Sequence, residues 1–189
     1  MRPTVRFILA ALSVALSPAT YADPVALARN CAHCHGVNGV SSGDLIPNIS
    51  GQKEAYLKHA LATYKQGKRP SLFMGRLAKG YTDQELEAVA AHYARLQWAA
   101  AEQATDARLV EKGRELAQQR CAACHSGAGV PAAESVPLIA GQWAEYLKRE
   151  LTRYLNPLTP APDPGMQNAL AGLGGAEIEA LAQYYASQR

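Results

Sequence analysis

Cys31-Ala32-His33-Cys34-His35 stands ninety residues before Cys121-Ala122-Ala123-Cys124-His125, and much of the surrounding chain repeats at that spacing. At an offset of 90, Pro47 meets Pro137, Ile49 meets Ile139, Gly51-Gln52 meets Gly141-Gln142, Tyr56-Leu57 meets Tyr146-Leu147 and Tyr64 meets Tyr154. A two-residue insertion then shifts the offset to 92: Met74 meets Met166, Leu86 meets Ile178, and Tyr93-Ala94 meets Tyr185-Ala186. Such a chain is one module used twice, not a solenoid of many short repeats. Residues 23–98 make the first module and 107–189 the second. Residues 99–106, small and polar, read as a linker or a helix extension.

Both modules read as all-α. Asp23-Pro24 is an N-cap followed by proline at the first helical position, and the helix it opens runs into the first cysteine motif. Tyr56, Leu57, Ala60, Leu61 and Tyr64 recur at helical spacing until Gly67 stops the run. Thr82-Asp83-Gln84-Glu85 is a capping box ahead of Leu86, Val89, Ala90 and Tyr93. The second module repeats the scheme through Leu109 to Ala117, Tyr146 to Tyr154 and Ile178 to Tyr185. Asn156 to Gly165 carries four of the eleven prolines, excludes regular helix, and reads as an ordered loop leading to Met166.

The first residues read as an export signal. Arg2 and Arg6 precede an apolar run of ten residues, Phe7 to Leu16, broken only by Ser13, and small residues at Thr20 and Ala22 place cleavage after Ala22. Ten residues fall short of the ~20 of a spanning helix, so no membrane anchor is expected. Without Arg2 and Arg6 the charge is 17 basic against 16 acidic residues, which gives no signal for nucleic acid. Export would suit disulfides, yet all four cysteines fall in Cys-x-x-Cys-His units.

That pattern points to two covalently attached haem c groups. Cys31 and Cys34, and likewise Cys121 and Cys124, are spaced to reach the two vinyl groups of one porphyrin, which places His35 and His125 under the irons. Zinc binding by two Cys-x-x-Cys pairs leaves both histidines unexplained. A thioredoxin-like site lacks its βαβ context. The sixth ligands follow by elimination. Beyond Met1 the chain has two methionines, Met74 and Met166, at matched positions, and His125 is the second module's only histidine. His33, His59 and His92 have no counterparts in the repeat and read as surface or haem-edge residues. Histidine and methionine together fill both axial positions, which favours electron relay over substrate chemistry.

The chain resembles tandem class I c-type cytochromes over nearly all of residues 23–189. In such cytochromes a proline carbonyl accepts from the axial histidine, a role that falls here to Pro47 and Pro137, each twelve residues after its histidine. The repeated Gly-Gln-x-x-x-Tyr-Leu looks like the cytochrome c4 family of free carriers that feed terminal oxidases. Met74-Gly75-Arg76-Leu77-Ala78-Lys79-Gly80-Tyr81, Ala140-Gly141-Gln142-Trp143 and Tyr184 to Gln188 are similar to the dihaem subunit of flavocytochrome c, the sulfide dehydrogenase. That resemblance implies a periplasmic, non-catalytic subunit that takes electrons from an FAD-containing flavoprotein and yields them to a soluble cytochrome or oxidase. The chain has no dinucleotide fingerprint, so the flavin belongs to another chain. Arg76 and Lys79 are the expected contact with it. A dihaem peroxidase is a third reading, against which the two methionines stand. Arg69 could meet a haem propionate, but the second module has no arginine in its place.

Overall fold

A computed structural model of the chain describes residues 23–156 and 163–189. The export segment with its cleavage site, and Pro157 to Pro162 of the proline-rich stretch, lie outside those residues. Among the described residues all regular structure is helical, and no helix is long and apolar enough to cross a membrane.

The first module holds α1 (Pro24–His35), a 3-10 turn (Val37–Gly39), α2 (Glu54–Lys65), α3 (Met74–Lys79) and α4 (Asp83–Ala94). The second holds α5 (Ala107–Arg120), α6 (Ser126–Gly129), α7 (Ala144–Leu155), α8 (Pro164–Leu170) and α9 (Gly175–Ala186). The expected starts are in place. Asp23 Oδ1 accepts from Val25 N at 3.0 Å, and Thr82 and Glu85 cap each other's backbone N–H groups. Residues 97–106 carry no helix, so the helix-extension alternative is not realised.

Three helices were not expected, the four-residue α6 among them. α3 is six residues long, too short to show a hydrophobic period. α8 corrects the reading of Asn156 to Gly165 as wholly irregular: Asp163 caps Gly165 N at 2.7 Å, and Pro164 takes the first helical position, where its missing N–H costs nothing.

Each module has its own core. Ala28, Leu57, Val89, Ala90 and Tyr93 pack in the first; Ala117, Leu147, Leu170, Ile178, Leu181 and Tyr185 pack in the second. The repeat is also visible in the loop after each motif. Gly39 O accepts from Ile49 N at 2.8 Å and Gly129 O from Ile139 N at 3.1 Å. Gly51 and Gly141, at φ +59° and +67°, donate to Tyr93 O and Tyr185 O, each at 2.8 Å.

The modules meet in a seam with near two-fold symmetry. Gln52 Nε2 donates to Leu138 O at 2.9 Å and Gln52 Oε1 accepts from Leu138 N at 2.7 Å. Gln142 makes the same pair with Asn48, at 2.9 and 3.0 Å. Both partners of each pair are related by the offset of 90. Beside this clasp, Tyr56, Tyr64, Tyr146 and Tyr154 surround charges that are not repeated. Arg69 Nη2 meets Glu150 Oε2 at 2.8 Å, and Arg153 meets the same oxygen at 3.0 Å. Arg69 also donates to Tyr56 Oη at 3.1 Å and lies 4.8 Å over the Tyr64 ring. Burial pushes the Glu150 carboxyl up, but the two guanidinium groups outweigh it and hold it below the usual carboxylate range.

Candidate haem sites

The two cysteine motifs are held differently. Cys31, Cys34 and His35 fall inside α1, where residues three and four apart share a face. Cys121 instead ends α5, and a turn continues the spacing: Cys124 N and His125 N both donate to Cys121 O, at 3.1 and 2.9 Å. All four thiols are unpaired. Cys31 and Cys121 pack against the cores of their modules, and burial pushes both thiols up.

His35 is 9% exposed, and its Nδ1 lies 2.8 Å from Pro47 O. A carbonyl only accepts, so Nδ1 carries the proton and Nε2 is left for a metal. Burial lowers the His35 pKa and the Pro47 carbonyl partly opposes it, which favours the neutral, ligating imidazole. His125 is 3% exposed and is also lowered by burial, against the Pro137 carbonyl and Asp163. Its Nδ1 nevertheless makes no hydrogen bond: the Pro137 carbonyl acts on the ring from outside bonding geometry.

Met74 and Met166 are both half-buried at the starts of their short helices. Met166 packs on the core that also touches Cys121, and the Asp163 that caps its helix lies near enough to act on His125. In the second module Cys121 and Met166 thus share one core, with the cap of α8 close to His125. In the first, α3 packs chiefly against α2 and Ser71 Oγ accepts from Met74 N at 3.0 Å. Tyr81 Oη accepts from Asn30 Nδ2 at 3.1 Å and so ties the end of α3 to α1.

The residues present fit a haem. Each module offers two free thiols, one buried histidine kept neutral and one thioether, a donor set suited to iron and to thioether attachment. Exposed apolar side chains stand close in the chain to the expected haem residues: Val37 and Val40 after His35, Leu72, Phe73 and Leu77 around Met74, and Val130 after His125. Such side chains suit the flat apolar face of a porphyrin. Among the described residues no three His, Cys, Asp or Glu side chains converge as a metal cage.

His33 and His59 are exposed and His92 is half-buried with its ring edge-on to Tyr93. Arg69 is not left facing a propionate alone, since Glu150 is its ion partner. Sequence reasoning did not foresee the roles of Asn48, Gln52, Gln142 and Glu150. The repetition of Gly-Gln was the one available signal, and it was read as a family mark and not as a contact.

The cytochrome c family model matches this chain twice, over residues 23–97 and 110–188. The chain is 30% identical over 178 residues to the thiosulfate dehydrogenase electron acceptor of Stutzerimonas stutzeri, covering 88% of this chain and 81% of that one. It is 42% identical over 82 residues to the cytochrome subunit of sulfide dehydrogenase of Chlorobaculum tepidum, covering 43% of this chain and 74% of that one. The solved structure of cytochrome c4 from Pseudomonas stutzeri superposes with a TM-score of 0.78 at 28% identity, over 88% of this chain and 99% of that one. Two tandem helical modules, two Cys-x-x-Cys-His units and two family matches place this chain in the cytochrome c family, as a c4-like dihaem electron-transfer protein with two covalently bound haem c groups.

Proposed function

We propose that this chain is an exported, periplasmic cytochrome that accepts electrons from a dehydrogenase acting on a reduced sulfur compound, most specifically from the FAD-containing chain of a sulfide dehydrogenase. Cys31 and Cys34 attach the first haem and Cys121 and Cys124 the second. His35 and Met74 would hold the first iron and His125 and Met166 the second, with Pro47 and Pro137 behind the histidines. Bound haem supplies one-electron redox chemistry, and two protein ligands per iron leave no position for substrate. The protein's part is to keep each histidine neutral and oriented, to hold a methionine opposite it, and to fix the modules against each other. A soluble cytochrome or an oxidase then takes the electrons.

The observation that carries this reading is the paired donor set, a buried histidine and a half-buried methionine in each module. The choice of donor is supported by α3, which exposes Arg76 and Lys79 beside Met74, in the segment that resembles the sulfide dehydrogenase subunit. A free cytochrome c4-type carrier is the second reading, favoured by the superposition over nearly all of that protein.

Anaerobic reduction by sulfide tests the proposal. The holoprotein should be reduced quickly only when an FAD-bearing sulfide dehydrogenase chain is present. The double variant Arg76→Glu/Lys79→Glu should slow that step by about tenfold at low salt, because charges at a docking rim act mainly on association. Equal rates for wild type and variant move the docking surface elsewhere. Reduction by a thiosulfate dehydrogenase, but not by the flavoprotein, reassigns the donor.

A further inference from the structure

Haem attachment does not use the repeated Gly-Gln. Its glutamines instead reach the peptide next to the other module's histidine. Asn48 N–H donates to Gln142 Oε1 at 3.0 Å, and that N–H belongs to the same planar peptide group as the Pro47 carbonyl. The carbonyl end lies 2.8 Å from His35 Nδ1. One peptide unit therefore joins a first-module histidine to a second-module glutamine. The equivalent unit, Pro137–Leu138, donates its N–H to Gln52 Oε1 at 2.7 Å and turns its carbonyl side toward His125. There the relay is broken at its last step, because His125 Nδ1 is buried without a hydrogen bond.

We infer that Gln142 and Gln52 are positioning residues that act across the module boundary, each on the axial histidine of the opposite module. Two physical effects carry it. A glutamine oxygen on the N–H end draws charge toward the carbonyl end, and chained hydrogen bonds strengthen each other by roughly 10–30%. A stronger acceptor behind Nδ1–H makes the imidazole a better donor to a metal and lowers the metal's reduction potential. The glutamine also holds the peptide plane, and with it the ring. Gln52 and Gln142 are 4% and 3% exposed, and Asn48 is 1% exposed, so water cannot replace the lost bond. Each glutamine oxygen also accepts from the next N–H of its own chain, Lys53 at 3.0 Å and Trp143 at 3.1 Å, which fixes its amide plane. The two haems are thereby tuned by each other's modules, the first more strongly than the second.

This inference rests on His35 and His125 being the axial ligands. The test uses the holoprotein, with the potential of each haem followed separately through its own NMR methyl resonances during a redox titration. In Gln142→Leu the first haem's potential should rise while the second moves less, and Asn48 amide exchange should speed up by about tenfold. Gln52→Leu should raise the second haem's potential by a smaller amount. Gln142→Met keeps the side-chain length without the accepting oxygen and should raise the first haem's potential as Gln142→Leu does; it decides alone if Gln142→Leu does not fold. An equal shift of both haems in Gln142→Leu, or fast Asn48 exchange with an unmoved first haem, overturns the inference. A wild-type spectrum in which His35 is not an iron ligand overturns the ligand assignment as well, whereas a ligated His35 with an unresponsive potential overturns the relay alone.

Discussion

The two modules share a plan and differ in how tightly each part of it is held. In the first, the cysteine motif is a continuous helix, His35 has a carbonyl partner, and Tyr93 Oη donates to Ala28 O at 2.9 Å. In the second, the helix stops at the first cysteine, His125 Nδ1 is unpaired, and the buried Tyr185 hydroxyl has no oxygen or nitrogen partner and faces Cys121. The second module compensates with packing: its core is larger, and α5 lies close on α9 at Gly113. Polar satisfaction organises the first site and close helix packing the second. Duplication supplied the scaffold, and each copy found its own way to hold it.

The largest test of this difference lies in the seam, where each module contributes an unlike charge. Glu150→Gln removes the carboxylate shared by Arg69 and Arg153, whose side chains are 9% and 12% exposed. Two guanidinium groups would then face each other in a buried site, at a cost of about 4 kcal/mol. Replacing all three together, as Arg69→Met, Glu150→Leu and Arg153→Met, should restore most of the loss. Denaturant unfolding of the three proteins checks both expectations. The wild type also has a signed pH dependence. Because Glu150 is held below its ordinary range, its contribution is present above that range and is lost as acid protonates the folded carboxyl. Stability measured downward from pH 6 should fall at acid pH less steeply in Glu150→Gln than in wild type.

The second test bears on packing alone. A Cβ at Gly113 would sit 2.0 Å from Ala180 O and 2.6 Å from Tyr184 Cβ. Helix backbone cannot yield as a side-chain tip can, so Gly113→Ala should cost the second module about 3 kcal/mol. The aligned residue in the first module is Asp23, which caps α1 and is exposed. Thermal unfolding of the holoprotein should then split, with the second module melting first. A single unshifted transition would show that α5 and α9 can part at little cost.

What could be read from the sequence follows the reach of each interaction. Local signals were legible: Asp23-Pro24, the Thr82 box, Gly67 and the two cysteine motifs each act within a few residues. Asp163-Pro164 has the same form as Asp23-Pro24 and marks a helix start for the same reason. It was hidden by the prolines before it, which read as one irregular stretch. Pairings across the seam were not legible, because Gln142 and Asn48 stand 94 residues apart and Arg69 and Glu150 81. Only the fold brings them together. The duplication offered one route to the clasp, since a glutamine kept in both halves after the histidine loop points to a contact that both modules share.

The smallest effect concerns the caps of the last helices, where the modules differ by one side chain. In the first module Thr82 and Glu85 form a full capping box, with Glu85 N donating to Thr82 Oγ1 at 3.2 Å and Thr82 N to Glu85 Oε2 at 2.7 Å. In the second, Gly174 N donates to Glu177 Oε2 at 3.1 Å, but glycine has no oxygen to return the bond. Half of the box is missing. Thr82→Ala should therefore cost about 1 kcal/mol, as for other caps. Gly174→Thr should regain part of that amount, since Gly174 already has the extended backbone of a cap at φ −96° and ψ 179°. The group nearest an added Cβ there is the end of the flexible Glu177 side chain, at 3.1 Å, which can shift aside. Amide exchange in α4 and α9 separates the two helices: Thr82→Ala should speed exchange in α4 alone, and Gly174→Thr should slow it in α9 alone. A Gly174→Thr protein with unchanged α9 exchange would mean that Glu177 by itself already satisfies that helix start.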